Sequence, residues 1–131
     1  MRLVLDASAA LEVALNRPRS KQCAAALEQA DEVLAPELIV PEIVNAIWKY
    51  HQYEHLALSI CEDTLEFALG LVDSLVACRE LYREAFLLAR VARRPVYDMF
   101  YLALARREDA GFLTLDAALR KEAERQGVRV L

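Results

Sequence analysis

Four carboxylates stand where the chain passes between predicted elements of secondary structure. Asp6 follows a short apolar strand, Asp116 follows another, and Glu42 and Asp98 lie in the first turns of two predicted helices. In a parallel sheet with right-handed crossovers, the carboxyl ends of strands and the starts of the helices that follow them share one edge. Carboxylates gathered there repel one another and need protons, basic partners or a cation to be stable, and only Arg93 and Arg94 adjoin them as basic residues in the sequence. Because hard divalent cations prefer oxygen ligands, the pattern predicts a Mg²⁺ or Mn²⁺ site.

Each acid also has a purely structural explanation. Asp6, Asp98 and Asp116 could cap helices, and Glu42 could be an ordinary solvated helix residue. It is their joint placement on one edge that favours a site. Three further polar residues are expected beside the acids: Ser8, Asn45 and Thr114.

Alternating strand and helix patterns predict an α/β fold, a parallel sheet of roughly five strands covered by helices on both faces. Strands are predicted at 2–6, 32–35, 74–77, 111–115 and 128–131. Helices are predicted from Asp6 to about Asn16, over 19–29, within 36–51, over 59–71 and 79–92, from Val96 to before Gly111, and over 117–125. In the helix over 79–92, the residues expected to face inward are Leu81, Tyr82, Ala85, Phe86 and Ala89.

Composition limits the classes of function. The 131 residues fit a single domain over 1–131, and the formal net charge of −4 gives no global basic field for nucleic acid. The three cysteines are widely spaced and indicate buried, reduced thiols rather than zinc ligands or disulfides. With no signal peptide or membrane span in the pattern, a soluble cytoplasmic protein is expected.

Four motifs together resemble one family. They are Leu-Asp-Ala-Ser at 5–8, Pro-Glu-Ile-Val-Asn at 41–45, Tyr-Asp-Met-Phe-Tyr-Leu-Ala-Leu-Ala at 97–105 and Leu-Thr-Leu-Asp at 113–116. In this order and spacing they resemble PIN domains, specifically the VapC toxin ribonucleases of VapBC toxin-antitoxin systems.

The resemblance implies a three-layer fold with strand order 3-2-1-4-5 and a Mg²⁺- or Mn²⁺-dependent endoribonuclease. It also implies a homodimer that is neutralised by a cognate VapB-type antitoxin. Asp6, Glu42 and Asp98 match the family's core acids, and Asp116 matches its fourth, more variable acid.

The chemistry of RNA hydrolysis agrees with this assignment, because a metal held by carboxylates activates water and neutralises phosphate charge. Asp6 and Asp98 are expected as ligands, with Glu42 and Asp116 holding water or a second ion. Ser8, Asn45 and Thr114 are expected to orient these groups or to contact phosphate. Arginines at 17, 19, 93 and 94 are candidates for RNA contacts.

The aromatic group of Trp48, Tyr50 and Tyr53 is predicted to pack in the core or a dimer, with an antitoxin groove or base stacking as alternatives. His51 and His55 are expected to be solvated.

Three other functions compete with this interpretation. A haloacid-dehalogenase-like phosphatase would need a second aspartate where Ser8 stands. A response-regulator receiver would need an acidic pair beside Asp6, a central phospho-acceptor and a late lysine at a strand end, and none of these can be placed in the sequence. A catalytically silent PIN fold that acts only by binding would keep the architecture without turnover.

Overall fold

The structure, a computed structural model, describes residues Met1–Leu131. Its strands are β1 (Arg2–Leu5), β2 (Glu32–Pro36), β3 (Ser74–Val76) and β4 (Gly111–Leu113). Its helices are α1 (Ala7–Ala14), α2 (Ser20–Glu28), α3 (Ile39–Glu54), α4 (Leu58–Gly70), α5 (Tyr82–Ala92), α6 (Val96–Arg107) and α7 (Ala117–Arg125), with a 3-10 turn at Cys78–Glu80. None of the helices combines the length and the apolar character needed to cross a membrane.

All four strands are parallel, in the order β3-β2-β1-β4. The α/β class, the parallel sheet and the first four positions of the predicted order are confirmed. Strand β1 lies between β2 and β4, and its Leu3, Val4 and Leu5 are completely buried. A strand with neighbours on both edges and helices on both faces leaves no room for charge until it ends at Asp6.

Helix α6 is the central helix of the core. It packs against β1, β2 and β4, and it packs along α5 as well. Six of its twelve residues are buried, which is why its sequence is apolar on more than one face. Helix α1 packs against α2, α3 and α4. The buried residues of α6 begin at Met99, so its first turn, which carries Asp98, lies at the rim of the core.

The predicted fifth strand is wrong. Residues 128–131 contribute only a single parallel bridge, between Val130 and Phe112. The segment follows Gly127, whose φ of +78° turns the chain out of α7. Its backbone hydrogen bonds to β4 are confined to Phe112, whose N–H donates to the Arg129 carbonyl and whose carbonyl accepts from the Leu131 N–H. Strand β4 also ends at Leu113, two residues earlier than predicted, because the side chains of Thr114 and Ser8 accept the hydrogen bonds that would continue it.

Several local predictions also fail. Helix α4 begins at Leu58, a residue expected in the connection before it. In α5, Tyr82 and Phe86 are 51% and 63% exposed, so they do not face the core. Trp48 and Tyr53 pack edge-on against each other, with 5.9 Å between ring centroids, and both are exposed, whereas Tyr50 packs against the core. Core packing is therefore wrong for Trp48 and Tyr53, and a dimer, an antitoxin groove or base stacking stays a prediction for them. His51 is only partly exposed, and its Nδ1 lies 2.7 Å from the Leu56 carbonyl, whereas His55 is exposed as expected.

Candidate active site at the carboxyl edge of the sheet

Asp6 is the fixed centre of this edge. Its backbone N–H donates to the Leu113 carbonyl, which ties the end of β1 to the end of β4. Its side chain caps α1: Oδ1 accepts from the Ala9 N–H at 3.0 Å and from the Ser8 hydroxyl at 2.7 Å. Oδ2 accepts from the Thr114 hydroxyl. The carboxylate is therefore held in one orientation by three donors from two elements.

Burial sets the electrostatics of Asp6, which is only 6% exposed. Loss of solvation raises the pKa of its carboxyl to about 6, although the donors from Ser8, Thr114 and Ala9 oppose the rise. The negative charge of Glu42 raises this pKa further. Asp6 and Glu42 are thus within electrostatic reach of each other, as their positions in the sequence predicted.

Glu42 lies in the first turn of α3 and is half-buried. Its Oε1 accepts a hydrogen bond from the Tyr101 hydroxyl, which comes from the buried face of α6. Burial raises the pKa of the Glu42 carboxyl, the Tyr101 hydrogen bond opposes that rise, and the charge of Asp98 adds to it. Burial and the bond to Glu42 also raise the pKa of Tyr101, so its hydroxyl keeps its proton and acts as a donor.

Asp98 occupies the first turn of α6. Its Oδ2 lies 3.1 Å from Nη2 of Arg94, four residues earlier, and the pair is only partly exposed. The Arg94 Nε is buried without a hydrogen-bond partner. Asp98 therefore has a counter-ion in the chain itself, Arg94, and its negative charge nevertheless raises the pKa of Glu42.

Asp116 is exposed and caps α7, with Oδ1 accepting from the Leu119 N–H at 3.0 Å. Its own N–H donates to the Thr114 Oγ1 at 3.1 Å, and the Leu115 N–H donates to the Ser8 Oγ at 3.0 Å. Ser8 and Thr114 thus connect Asp6 to the start of α7 through short hydrogen bonds. Asn45 is exposed and lines a cavity of about 600 Å³ together with Glu42.

The donor set suits a hard divalent cation in its chemistry. Every candidate ligand is an oxygen. The pKa values of Asp6 and Glu42 are raised by burial and by a neighbouring carboxylate, that of Glu42 for Asp6 and that of Asp98 for Glu42, and a cation would relieve both effects. As the side chains stand, no three acidic, histidine or cysteine side chains converge closely enough to hold an ion. Asp98 is turned toward Arg94 and Asp116 toward the backbone of α7. The four acids thus fit a divalent ion because all are carboxylates and all lie at the same edge of the sheet.

The family model described as PIN domain matches residues 3–124, nearly the whole chain. This chain belongs to the PIN domain family. Ribonuclease VapC3 of Pyrobaculum aerophilum is 34% identical over 126 residues, which cover 93% of this chain and 95% of that protein.

Solved structures agree on the PIN fold. PAE2754 from Pyrobaculum aerophilum has a TM-score of 0.74 at 17% identity, covering 99% of this chain and 89% of its own. VapBC2 from Rickettsia felis, bound to a DNA fragment from its promoter, has a TM-score of 0.67 at 12% identity, covering 100% of this chain and 98% of its own. Membership in this family excludes the phosphatase and receiver alternatives.

Sequence reasoning missed two partners of the PIN-domain acids. Tyr101 was assigned no role, although it stands three residues after Asp98 and so on the same side of α6. Arg94 is expected as an RNA contact and, with Arg93, as the basic pair that adjoins the acids in sequence, but its i,i+4 spacing to Asp98 also indicates an ion pair. Both residues control how an acid of this edge is oriented and charged.

Proposed function

We propose that this chain is a divalent-metal-dependent endoribonuclease, the toxin of a toxin-antitoxin pair. The observation that carries this proposal is the buried Asp6 carboxylate, oriented by three donors and placed beside the charge of Glu42 at the carboxyl edge of a PIN-domain sheet. The relative that is named a ribonuclease supports the same activity.

Asp6, Glu42 and Asp98 would hold Mg²⁺ or Mn²⁺, with Asp116 completing the set. When bound, such an ion lowers the pKa of water and neutralises charge on phosphate oxygens. An acidic edge could then accept a polyanion that the carboxylates alone would repel.

The chain's own groups provide orientation. The hydroxyls of Ser8 and Thr114 keep both oxygens of Asp6 in place, and the Tyr101 hydroxyl holds Glu42. Asn45 is exposed on the helix turn after Glu42 and can donate its amide to a phosphate oxygen. These groups are preorganised, so little reorganisation is needed when substrate binds.

Cleavage of a structured RNA by the purified protein tests the activity. The reaction is run with Mn²⁺, with EDTA, and with Asp6→Asn under both conditions. We expect cleavage only by the unsubstituted protein with Mn²⁺. Equal cleavage by Asp6→Asn would assign the activity to a contaminating nuclease, and no cleavage by any sample across several RNAs would favour the silent binding module.

We also propose two protein partners, an antitoxin and a second copy of the chain. The VapBC2 neighbour bears the name of the toxin-antitoxin systems that the sequence motifs resemble. Large apolar side chains on α5 are exposed, including Phe86 at 63% and Val91 at 64%, as is typical of a protein-binding surface. Light scattering of the chain alone and after co-expression with a small neighbouring protein tests both partners.

A cytoplasmic location is part of the same proposal. Cys23, Cys61 and Cys78 are all unpaired, which is usual for proteins of a reducing compartment. Fractionation of cells that express the chain tests this location.

A further inference from the structure

Two arginines lie in a rigid loop beside the acidic edge. The loop joins α1 to α2 and turns at Asn16, whose φ is +52°. The Arg17 N–H donates to the Glu12 carbonyl at 3.0 Å, and the Arg19 N–H donates to the Glu12 Oε2 at 2.8 Å. The Ser20 hydroxyl donates to the Asn16 side chain at 3.2 Å. Both arginines therefore extend from a backbone that is fixed by hydrogen bonds at each end.

The Arg17 guanidinium lies over an aromatic ring. Its Cζ is 4.6 Å from the centroid of the Tyr50 ring, within the range of a cation-π contact. This contact holds the planar group in place without using its N–H donors. Tyr50 itself is half-buried against the core on α3, so it is a firm support.

Neither arginine has an acidic partner. Arg17 and Arg19 are exposed, and no ion pair in the structure includes either of them. The nearby carboxylate of Glu12 accepts from the backbone N–H of Arg19 and from neither guanidinium. This contrasts with Arg94, whose charge is already neutralised by Asp98. The N–H donors of Arg17 and Arg19 remain available for an anion.

The position of the two arginines points toward the site. They line a cavity of about 310 Å³ that also includes Ser8, Tyr50 and Asp116. The larger cavity, of about 600 Å³, lies on the Glu42 side. Tyr50 is the one residue that lines both this cavity and the cavity beside the arginines. The Tyr50 ring therefore stands between two depressions, and the arginines lie on the Asp116 side.

We propose that Arg17 and Arg19 bind the phosphate of the RNA strand next to the bond that is cut, on the Asp116 side of Tyr50. The inference rests on the proposed ribonuclease function. An edge with four carboxylates, in a chain of net charge −4, needs local positive charge to hold a polyanion. Arginine offers donors in a planar fork that matches phosphate oxygens, and Tyr50 has already restricted the orientation of one such fork. These residues position the strand and leave the hydrolysis to the acids.

The test measures how RNA binding depends on salt. A labelled single-stranded RNA is titrated into Asp6→Asn protein and into the same protein carrying Arg17→Gln or Arg19→Gln. The matched control is Arg129→Gln, which removes the same charge from an exposed arginine near Met1, at the opposite end of the sheet. The affinity decreases with salt, and we expect the magnitude of the slope of log affinity against log salt concentration to become smaller by about 0.7 for each arginine removed. The slope of the control should be unchanged.

In otherwise unsubstituted protein, each arginine variant should raise KM and leave kcat at saturating RNA nearly unchanged. Arg17→Lys keeps the charge and should retain the salt slope, which separates a phosphate contact from a folding defect. If Arg17→Gln and Arg19→Gln gave the same salt slopes and KM values as Arg129→Gln, and the protein still cleaved RNA with Mn²⁺, the proposed phosphate contact would be overturned. If the unsubstituted protein does not cleave RNA with Mn²⁺, the ribonuclease proposal itself is overturned.

Discussion

Arg94, which lies just before α6, forms an ion pair with Asp98 in the first turn of that helix, with 3.1 Å between Nη2 and Oδ2. The pair gives the acidic edge an internal counter-ion. Since Asp98 is an expected metal ligand, the guanidinium competes with any cation that binds there.

Replacing Arg94 should strengthen the binding of Mn²⁺. Removing a positive charge next to the site reduces repulsion of the metal, so Arg94→Gln should lower the Kd by roughly fivefold, the equivalent of about 1 kcal/mol. Calorimetric titration with Mn²⁺ measures this directly. Arg93→Gln is the matched control, because Arg93 is exposed and makes no ion pair. An equal change in both variants would contradict a specific effect of the pair.

The two obvious substitutions of Asp6 should have opposite effects on stability. Asp6→Asn keeps the shape and removes a buried charge, so unfolding by urea in EDTA should show unchanged or higher stability. Asp6→Ala leaves the Ala9 N–H and the hydroxyls of Ser8 and Thr114 without their acceptor, which should cost about 2 kcal/mol. Both variants should lose RNA cleavage. If the variants Asp6→Asn and Asp6→Ala were equally stable, the three donors would not need an acceptor at position 6.

Removing the Tyr101 hydroxyl should affect turnover more than folding. In Tyr101→Phe the ring still packs against Phe112, but Glu42 loses its donor and can rotate. We expect kcat to decrease by roughly tenfold, with a loss of stability of about 1 kcal/mol. Single-turnover cleavage and thermal unfolding measure the two effects. A large loss of stability with normal kcat would limit Tyr101 to a structural role.

Metal binding should be visible without RNA. A ligand that binds only the folded state stabilises it by about 2.7 kcal/mol at one hundred times its Kd. For a domain of this size, Mn²⁺ should then raise Tm by roughly 5–10 °C. The rise should disappear in the double variant Asp6→Asn, Asp98→Asn and on addition of EDTA. A shift that persists in the double variant would place the ion elsewhere.

The carboxyl of Glu122, in α7, should make stability depend on pH. Hydrogen bonds from Arg125, at 2.8 and 3.0 Å, and from Gln126 lower the pKa of this carboxyl, with a smaller contribution from the charge of Arg94. A lowered pKa in the folded state stabilises the fold above the unfolded value of about 4.3, and this stabilisation is lost as the pH falls further. Glu122→Gln should therefore lower Tm at pH 7 but not at about pH 3. A difference that is constant with pH would refute this.

Much of the candidate site could be predicted because its signals are local. Asp6 follows three apolar residues, and Asp116 directly precedes α7, the helix whose predicted bounds match the structure at both ends. Parallel strands with helical crossovers then place these residues on one edge, whatever the details of packing. The same reasoning placed Glu42 and Asp98 correctly in the first turns of α3 and α6.

Tertiary packing decided what the local pattern could not. Tyr82 and Phe86 have the period of a buried face yet are exposed, because periodicity does not say which neighbour covers a helix. Residues 128–131 are apolar enough for a strand, but only Val130 reaches a bridge with Phe112.

The sequence by itself therefore determined the α/β class, the parallel sheet and the edge that carries the acids. Only the tertiary structure determined that Tyr101 holds Glu42, which is 59 positions away, and that Arg17 lies over Tyr50. The physical reason is that strand and helix patterns repeat over a few residues, whereas a contact between distant side chains depends on how whole elements pack.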